Sequence, residues 1–240
     1  MHRRPSYSLS HGFTLIEIAI TLFIITLLLG GLLAPLGSQI EQRKINETQK
    51  SLEEIKEALL GFAMANGRLP CPASSTKATG SVGAGEEDCT IATGAGVVPW
   101  VNLGVSETDA WGKRFSYRVA MTFADTIDGT GCGTAHSSVS FELCSTGNLT
   151  ILATSGSVNQ VAINLPAIII SHGKNGYGGY TPKGSKMAIT GASADELENT
   201  DEATNTSYVS HTYADDFDDI VTWLSPNILF NRMVAAGKLP

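Results

Sequence analysis

The sequence predicts an α+β chain in which one long N-terminal α-helix packs on a small antiparallel β-sheet and a short helix ends the chain. Three observations carry this. Apolar residues recur at helical spacing from Phe13 to Phe62. Short stretches rich in β-branched and aromatic residues follow, separated by turn residues. A Ser-Pro pair then opens a last amphipathic segment.

The long helix starts in an apolar run. From Phe13 to Leu36 the only charged residue is Glu17. At about 1.5 Å rise per residue this run reaches roughly 36 Å, enough for a hydrocarbon core of about 30 Å. Arg3 and Arg4 lie on its N-terminal flank, which places residues 1–12 in the cytoplasm and the bulk of the chain outside. An ordinary secretory signal has a shorter apolar core and a small-residue cleavage site behind it, and neither is seen. A lone acid in a membrane-length segment costs about 2.5–3.5 kcal/mol on insertion scales, so Glu17 is read as functional.

The helical pattern continues past this run. Ile45, Leu52, Ile55, Leu59 and Phe62 form one stripe, and Glu47, Lys50, Glu53, Glu54 and Glu57 lie largely off it. Asn66-Gly67, then Pro70 and Pro72, end the helix, which is expected from about 14 to 65. Gly30-Gly31 and Pro35 mark where it is expected to kink or locally melt. Four segments follow: a leader at 1–12, a transmembrane or filament-core helix at 13–36, an amphipathic half at 37–66, and a β-rich globular domain at 67–240.

Residues 73–98, rich in Gly, Ser, Thr and Ala, read as a surface loop. Strands are expected at Phe115–Ala120, Val139–Leu143, Leu149–Ala153, Ala167–Ser171 and Tyr208–Tyr213, with Ile220–Leu224 as a further candidate. Their short spacing predicts antiparallel meanders. The polar, acidic segment 191–206 reads as a loop. Ser225 is the expected N-cap of a last helix, with Pro226 in its first turn, Asn227 to Ala236 as its body and Gly237 as its C-cap.

The 240-residue chain has a net charge of -7. Residues 1–12 hold two arginines and no acid, so without them the net charge is -9. That balance, with no Lys/Arg run, argues against nucleic acid as a partner. The four cysteines, Cys71, Cys89, Cys132 and Cys144, all follow the apolar run and lack the close pairs of a zinc site. In an exported domain they read as disulfides. Of three pairings, Cys71–Cys89 with Cys132–Cys144 is favoured because each closes a short loop, constraining the unfolded chain by roughly 3 kcal/mol per bridge.

Gly12-Phe13-Thr14-Leu15-Ile16-Glu17 resembles the class III signal of type IV prepilins and type II secretion pseudopilins. The resemblance covers about the first fifth of the chain. It implies cleavage between Gly12 and Phe13 by a membrane-embedded prepilin peptidase and N-methylation of Phe13. It also gives Glu17 a use: in an assembled filament the acid pairs with the N-terminal amine of a neighbouring subunit. A complementary buried pair largely offsets the cost of either charge alone and fixes axial register. The implied fold is pilin-like.

Two further segments resemble the major pseudopilins. Asp109-Ala110-Trp111-Gly112-Lys113-Arg114-Phe115 is similar to their Asp-Pro-Trp-Gly-x-x-Tyr segment, with Ala110 in place of the proline. Ser171-His172-Gly173-Lys174-Asn175-Gly176-Tyr177-Gly178-Gly179 is similar to their glycine turn, and Asp215-Asp216-Phe217-Asp218-Asp219-Ile220-Val221-Thr222-Trp223 to their acidic stretch. The resemblance implies a calcium site, with Asp215, Asp216, Asp218 and Asp219 as candidate ligands; calcium takes six to eight oxygens. Two departures are plain: Asn175 replaces an aspartate, and about 35 residues separate turn from acids.

No catalytic constellation is present. There is no Gly-x-Ser-x-Gly elbow beside Ser171-His172, Gly173-Lys174 lacks P-loop spacing, and His136, His172 and His211 are scattered. Trp100, Trp111 and Trp223 read as packing residues. The expected protein is therefore not an enzyme. It is a pilin or pseudopilin, a single-pass inner-membrane subunit with its globular domain in the periplasm before it joins an extracytoplasmic filament. Its partners are prepilin peptidase, other subunits, an assembly platform and the membrane. The alternative is a membrane-anchored periplasmic binding protein that never enters a filament.

Overall fold

The computed structural model describes residues 12–125, 139–200 and 205–240, with side chains 29–36 left outside that description. The chain separates into two compact units, Met1–Arg43 and Lys44–Pro240. Helix α1 runs from Leu15 to Asn66 and is unbroken through Gly30-Gly31 and Pro35, so the expected local melting is absent. Gly67, with φ 73°, ends it by donating to the Ala63 carbonyl.

In the first unit, every large apolar side chain from Phe13 to Leu28 is between 48% and 88% exposed, on all faces of the helix. Such a surface is stable only in lipid or against other chains. Among the described residues, no helix is long and apolar enough to cross a membrane.

In the second unit, the α1 stripe is realised as Leu52, Ile55, Leu59, Leu60 and Ala63, each 2% exposed or less. Burying each leucine or isoleucine contributes about 1.5–3 kcal/mol. Expected at the stripe's ends, Ile45 and Phe62 are only half-buried. The stripe packs with Tyr117, Val119 and Ile169 in the main core.

Those residues come from a four-stranded antiparallel sheet. It contains β1 (Ala95–Val97), β2 (Ser116–Val119), β5 (Ala167–Ser171) and β7 (Ile220–Leu224), in the order β1-β2-β5-β7. All five residues of β5 are buried. Its alternation explains this: Ala167 and Ile169 face the core shared with α1, while Ile168 and Ile170 face a second core with Leu149, Ile151, Leu165 and Tyr208.

A second sheet lines that second core. It has the order β4-β3-β6, from β3 (Leu149–Leu152), β4 (Gln160–Leu165) and β6 (Ser207–Val209). Here the meander expectation is corrected, because β3 and β6 run parallel. A parallel pair needs a long crossover, and the chain between them supplies β4, β5 and helix α3 (Ala194–Thr200). Only Pro166 separates β4 from β5, with Asn164 at φ 57° just before it, so the chain changes sheets at a sharp bend.

Other expectations are also corrected. Val139–Leu143 is not a strand; Phe141 instead packs its ring 4.8 Å from Phe123 and 6.0 Å from Phe230. Apolar burial in an aromatic cluster produced the strand-like pattern. Residues 211–213 are likewise not strand, since β6 ends at Val209. The loop expected at 191–206 contains α3, and the one at 73–98 contains β1.

Helix α2 (Trp100–Leu103) is a single turn after β1. The last helix, α4 (Pro226–Ala235), follows the expected Ser225 boundary, although that side chain makes no cap hydrogen bond. At its end Gly237 N–H donates to Val234 O and Lys238 N–H to Met233 O, a Schellman closure around Gly237 at φ 68°. Leu229 and Met233 are fully buried in the main core.

Candidate functional site

At the N-terminal junction Gly12, Phe13 and Thr14 precede the helix, and Phe13 is 83% exposed. Thr14 is placed as N-cap and Glu17 as the third helical residue. Glu17 Oε2 accepts from the Thr14 N–H and Oγ1–H, each at 2.8 Å, and Thr14 Oγ1 lies 3.3 Å from the Glu17 N–H. This is a capping box, which supplies partners for backbone donors that the first helical turn leaves open. Thr21 and Thr26 donate to carbonyls one turn back, Glu17 O and Leu22 O, so these hydroxyls find partners inside the helix.

Two disulfides were expected. Cys71 and Cys89 are bonded, closing the segment that carries Glu86-Glu87-Asp88. Cys144 is disulfide-bonded, and Cys132 lies outside the described residues.

The glycine turn and the acidic stretch meet in the second unit. Asp218 and Asp219 are each 6% exposed, whereas Asp215 and Asp216 are exposed. The third carboxylate beside them is Glu196 of α3, 1% exposed, and carboxylate oxygens of the three lie within 4.8 Å of one another. Sequence reading missed Glu196, although its signal was present: Ser193-Ala194-Asp195-Glu196 is a second capping box. Ser193 N–H donates to Glu196 Oε2 at 3.0 Å, and Glu196 N–H to Ser193 Oγ at 3.2 Å.

Asn175 stands at the turn. Its N–H donates to Asp218 Oδ2 at 2.8 Å and its Nδ2 to Glu196 Oε1 at 2.6 Å. Gly173 approaches closely, and a Cβ there would sit 2.3 Å from the Asp218 carbonyl oxygen. Asn199 of α3 donates to Asp219 Oδ2 at 2.8 Å and to Val209 O at 3.1 Å, tying α3 to β6.

His172, 1% exposed, shares a hydrogen bond with Ser116 Oγ through Nε2 at 2.8 Å. Its Nδ1 lies 3.7 Å from Asp219 Oδ1, too far for a hydrogen bond. Next to it, Ser171 Oγ donates to Asp109 Oδ2, while Asp109 Oδ1 accepts from the Trp111 and Lys113 N–H groups. A buried Ser171–Asp109 hydrogen bond thus joins the Asp-Ala-Trp-Gly turn to the glycine turn.

Electrostatics follows from burial. Burial first, then the charges of Asp218 and Glu196, pushes the Asp219 carboxyl well above the ordinary range against the Asn199 hydrogen bond. Asp218 is raised by burial and by Glu196, and Asp109 by burial. Burial, with the charges of Lys186 and Lys113, lowers His172 to about 4, so it is neutral at pH 7.

This donor set fits a hard divalent cation. Three carboxylates converge, and Asp218 Oδ1 and Asp219 Oδ1 are buried without a hydrogen-bond partner. Buried polar atoms are normally satisfied, and a cation would satisfy both while removing the carboxylate repulsion.

No curated protein and no solved structure matches the chain. Residues 8–33 match the prokaryotic N-terminal methylation motif, the segment that holds Gly12, Phe13 and the Thr14–Glu17 box, so the chain carries the signal peptide of type IV prepilins and pseudopilins.

Proposed function

We propose that this chain is a structural subunit of a type IV pilus or type II secretion pseudopilus. The observation that carries the proposal is the methylation motif at residues 8–33, set at the head of a helix whose apolar surface is exposed on all faces from Phe13 to Leu28. Prepilin peptidase cuts between Gly12 and Phe13 and methylates the new terminus. The helix is held in the inner membrane with residues 1–12 cytoplasmic and the globular domain periplasmic. An assembly platform then extracts it into a bundle of like helices. The work is mechanical: apolar packing provides cohesion, and Glu17 paired with a neighbour's amine sets register. Glu17→Ala is expected to insert into membranes normally and to fail in filament incorporation, measured by shearing and immunoblotting; incorporation at the normal level contradicts the register role.

We further propose that Glu196, Asp218 and Asp219 hold a cation of the calcium class. The observation favouring this reading is the pair of buried, unpartnered oxygens, Asp218 Oδ1 and Asp219 Oδ1. In that role the cation offsets the mutual repulsion of the three converging carboxylates, and it joins the glycine turn to the acidic stretch. Calcium titration of the full chain in detergent, read by calorimetry, tests this reading; no heat contradicts it.

A further inference from the structure

We infer that the groove between β4, the end of β7 and the start of α4 binds a neutral saccharide. The groove holds about 450 Å³, within the range of small-molecule sites. It shares no residue with the acid cluster or with the N-terminal junction, so it goes beyond both proposals above.

Two aromatic side chains wall the groove, and each is held by a core. Trp223 is half-buried and packs against the second core. Phe230 is half-buried and packs against the main core, its ring centre 6.0 Å from Phe141 and 6.3 Å from Phe123. The rest of both side chains lines the groove. Rings fixed in this way offer apolar contact with little entropy left to lose on binding.

Strand β4 is distorted where it meets the groove. Leu149 and Ile151 of β3 stand opposite Leu165 and Ala162, so β4 carries one residue more than β3 across this stretch. Asn164 lies in that stretch with φ 57°, a conformation that residues other than glycine rarely adopt. A bulge re-aims the side chains it carries, and strained backbone of this kind gathers at binding sites. Here it turns Ile163 and Asn164 to the groove. Gly147 brings the facing segment close: a Cβ there would sit 2.0 Å from the Leu165 carbonyl oxygen.

The lining selects the ligand class. No Asp, Glu, Lys or Arg lines the groove, and none occurs between Glu142 and Lys174. An ionic ligand would find no counter-charge there. Four polar side chains do line it: Thr146, Asn164, Ser225 and Asn227. Among the described residues, none of the four side chains makes a hydrogen bond within the chain. Ser225 holds the N-cap position of α4, yet its hydroxyl leaves the cap unmade. Amides and hydroxyls both donate and accept. A purely apolar occupant would take water from these groups and return no partner. A saccharide matches both halves of the lining: its C–H face lies on the aromatic rings, and its rim of hydroxyls meets the amides and hydroxyls.

The test uses the full chain in a detergent without a sugar headgroup. Maltose, cellobiose and N,N′-diacetylchitobiose are the probes, read by saturation-transfer NMR and by the Trp223 indole signal, assigned with Trp223→Phe. Two variants keep the fold while removing an amide. Asn164→Gly suits the left-handed backbone better than asparagine does, and Asn227→Ala truncates an exposed side chain. At least one probe is expected to bind with millimolar affinity or better, to shift the Trp223 signal, and to weaken about tenfold in each variant. Binding of none of the three overturns the site. Binding that leaves the Trp223 signal unmoved, or that keeps its wild-type affinity in both variants, overturns it as well. Shifts with N-acetyl-leucine amide and none with the sugars would make the groove a seat for an apolar peptide side chain, against the saccharide.

Discussion

The Glu17 carboxylate accepts both the backbone N–H and the hydroxyl of Thr14, each at 2.8 Å, closing a capping box on the helix that follows the Gly12-Phe13 junction. The acid that looks most costly in the sequence thus has an intramolecular partner in the single chain. This capping role competes with the counter-charge role proposed for Glu17 in a filament. Thr14→Ala is expected to weaken the first helical turn by about 1 kcal/mol, the usual worth of an N-cap. Faster amide exchange at Leu15–Glu17 in micelles would register it, and Thr14→Ser should restore protection. Unchanged exchange in Thr14→Ala would contradict the cap.

The buried Arg114 guanidinium predicts a large effect far from the N-terminus. It donates to Ser75 O, Lys77 O, Thr79 Oγ1, Pro182 O and Glu107, and lies 4.7 Å from the Trp100 ring centre. One side chain therefore pins the 73–85 segment to the 180–184 turn. Arg114→Ala removes the donor to Ser75 O and Lys77 O and the charge partner of Glu107, while Pro182 O keeps the Thr79 N–H, at an expected cost of about 3–5 kcal/mol. Arg114→Lys should recover little, since one ammonium cannot reproduce the fork. Urea unfolding measures both; a loss under about 1 kcal/mol for the alanine variant would contradict the pinning role.

Cys71–Cys89, with a sequence separation of 18, closes a loop of the size for which chain entropy predicts about 3 kcal/mol. The double variant Cys71→Ala/Cys89→Ala is expected to lose stability by about that amount while keeping its far-UV circular dichroism. An unchanged denaturation midpoint would show that the bridge does not constrain the unfolded chain.

Beside that bridge, Arg68 holds Glu87 through two hydrogen bonds at 2.8 and 2.9 Å, and the Cys71 N–H donates to the same carboxylate. Burial raises the Glu87 pKa, but these hydrogen bonds and the Arg68 charge outweigh it and leave the group below its ordinary value of 4.5. A depressed folded-state pKa contributes stability that is complete above the unfolded value and is lost as pH falls through the folded one. Wild type should therefore lose more stability than Glu87→Gln between pH 5 and acid pH. Parallel pH profiles for the two proteins would contradict this.

Much of the architecture is legible in the sequence because its signals are local. Helical periodicity with Asn66-Gly67 set the end of α1, and Ser-Pro with Gly237 framed α4. The continuous apolar run at Ala167–Ser171 is a strand buried on both faces. What was missed depends on tertiary placement. Phe141 looks like part of a strand because its burial comes from Phe123 and Phe230, distant in sequence. The parallel pairing of β3 with β6 leaves no mark in either segment. At the acid cluster, Asp218 and Asp219 were visible as neighbours in an acidic stretch, but the same stretch contains Asp215 and Asp216, and only folding separates buried from exposed. Glu196 was readable as a capping glutamate, yet its arrival beside Asp219 follows from the path of the intervening chain.

The central claim is tested most directly at the N-terminus of the mature protein. Mass spectrometry of the chain isolated from membranes is predicted to show a polypeptide beginning at Phe13 and carrying one methyl group on its amine. A chain that begins at Met1, or one cut at another position, would contradict processing as a prepilin and favour a membrane-anchored protein that never enters a filament.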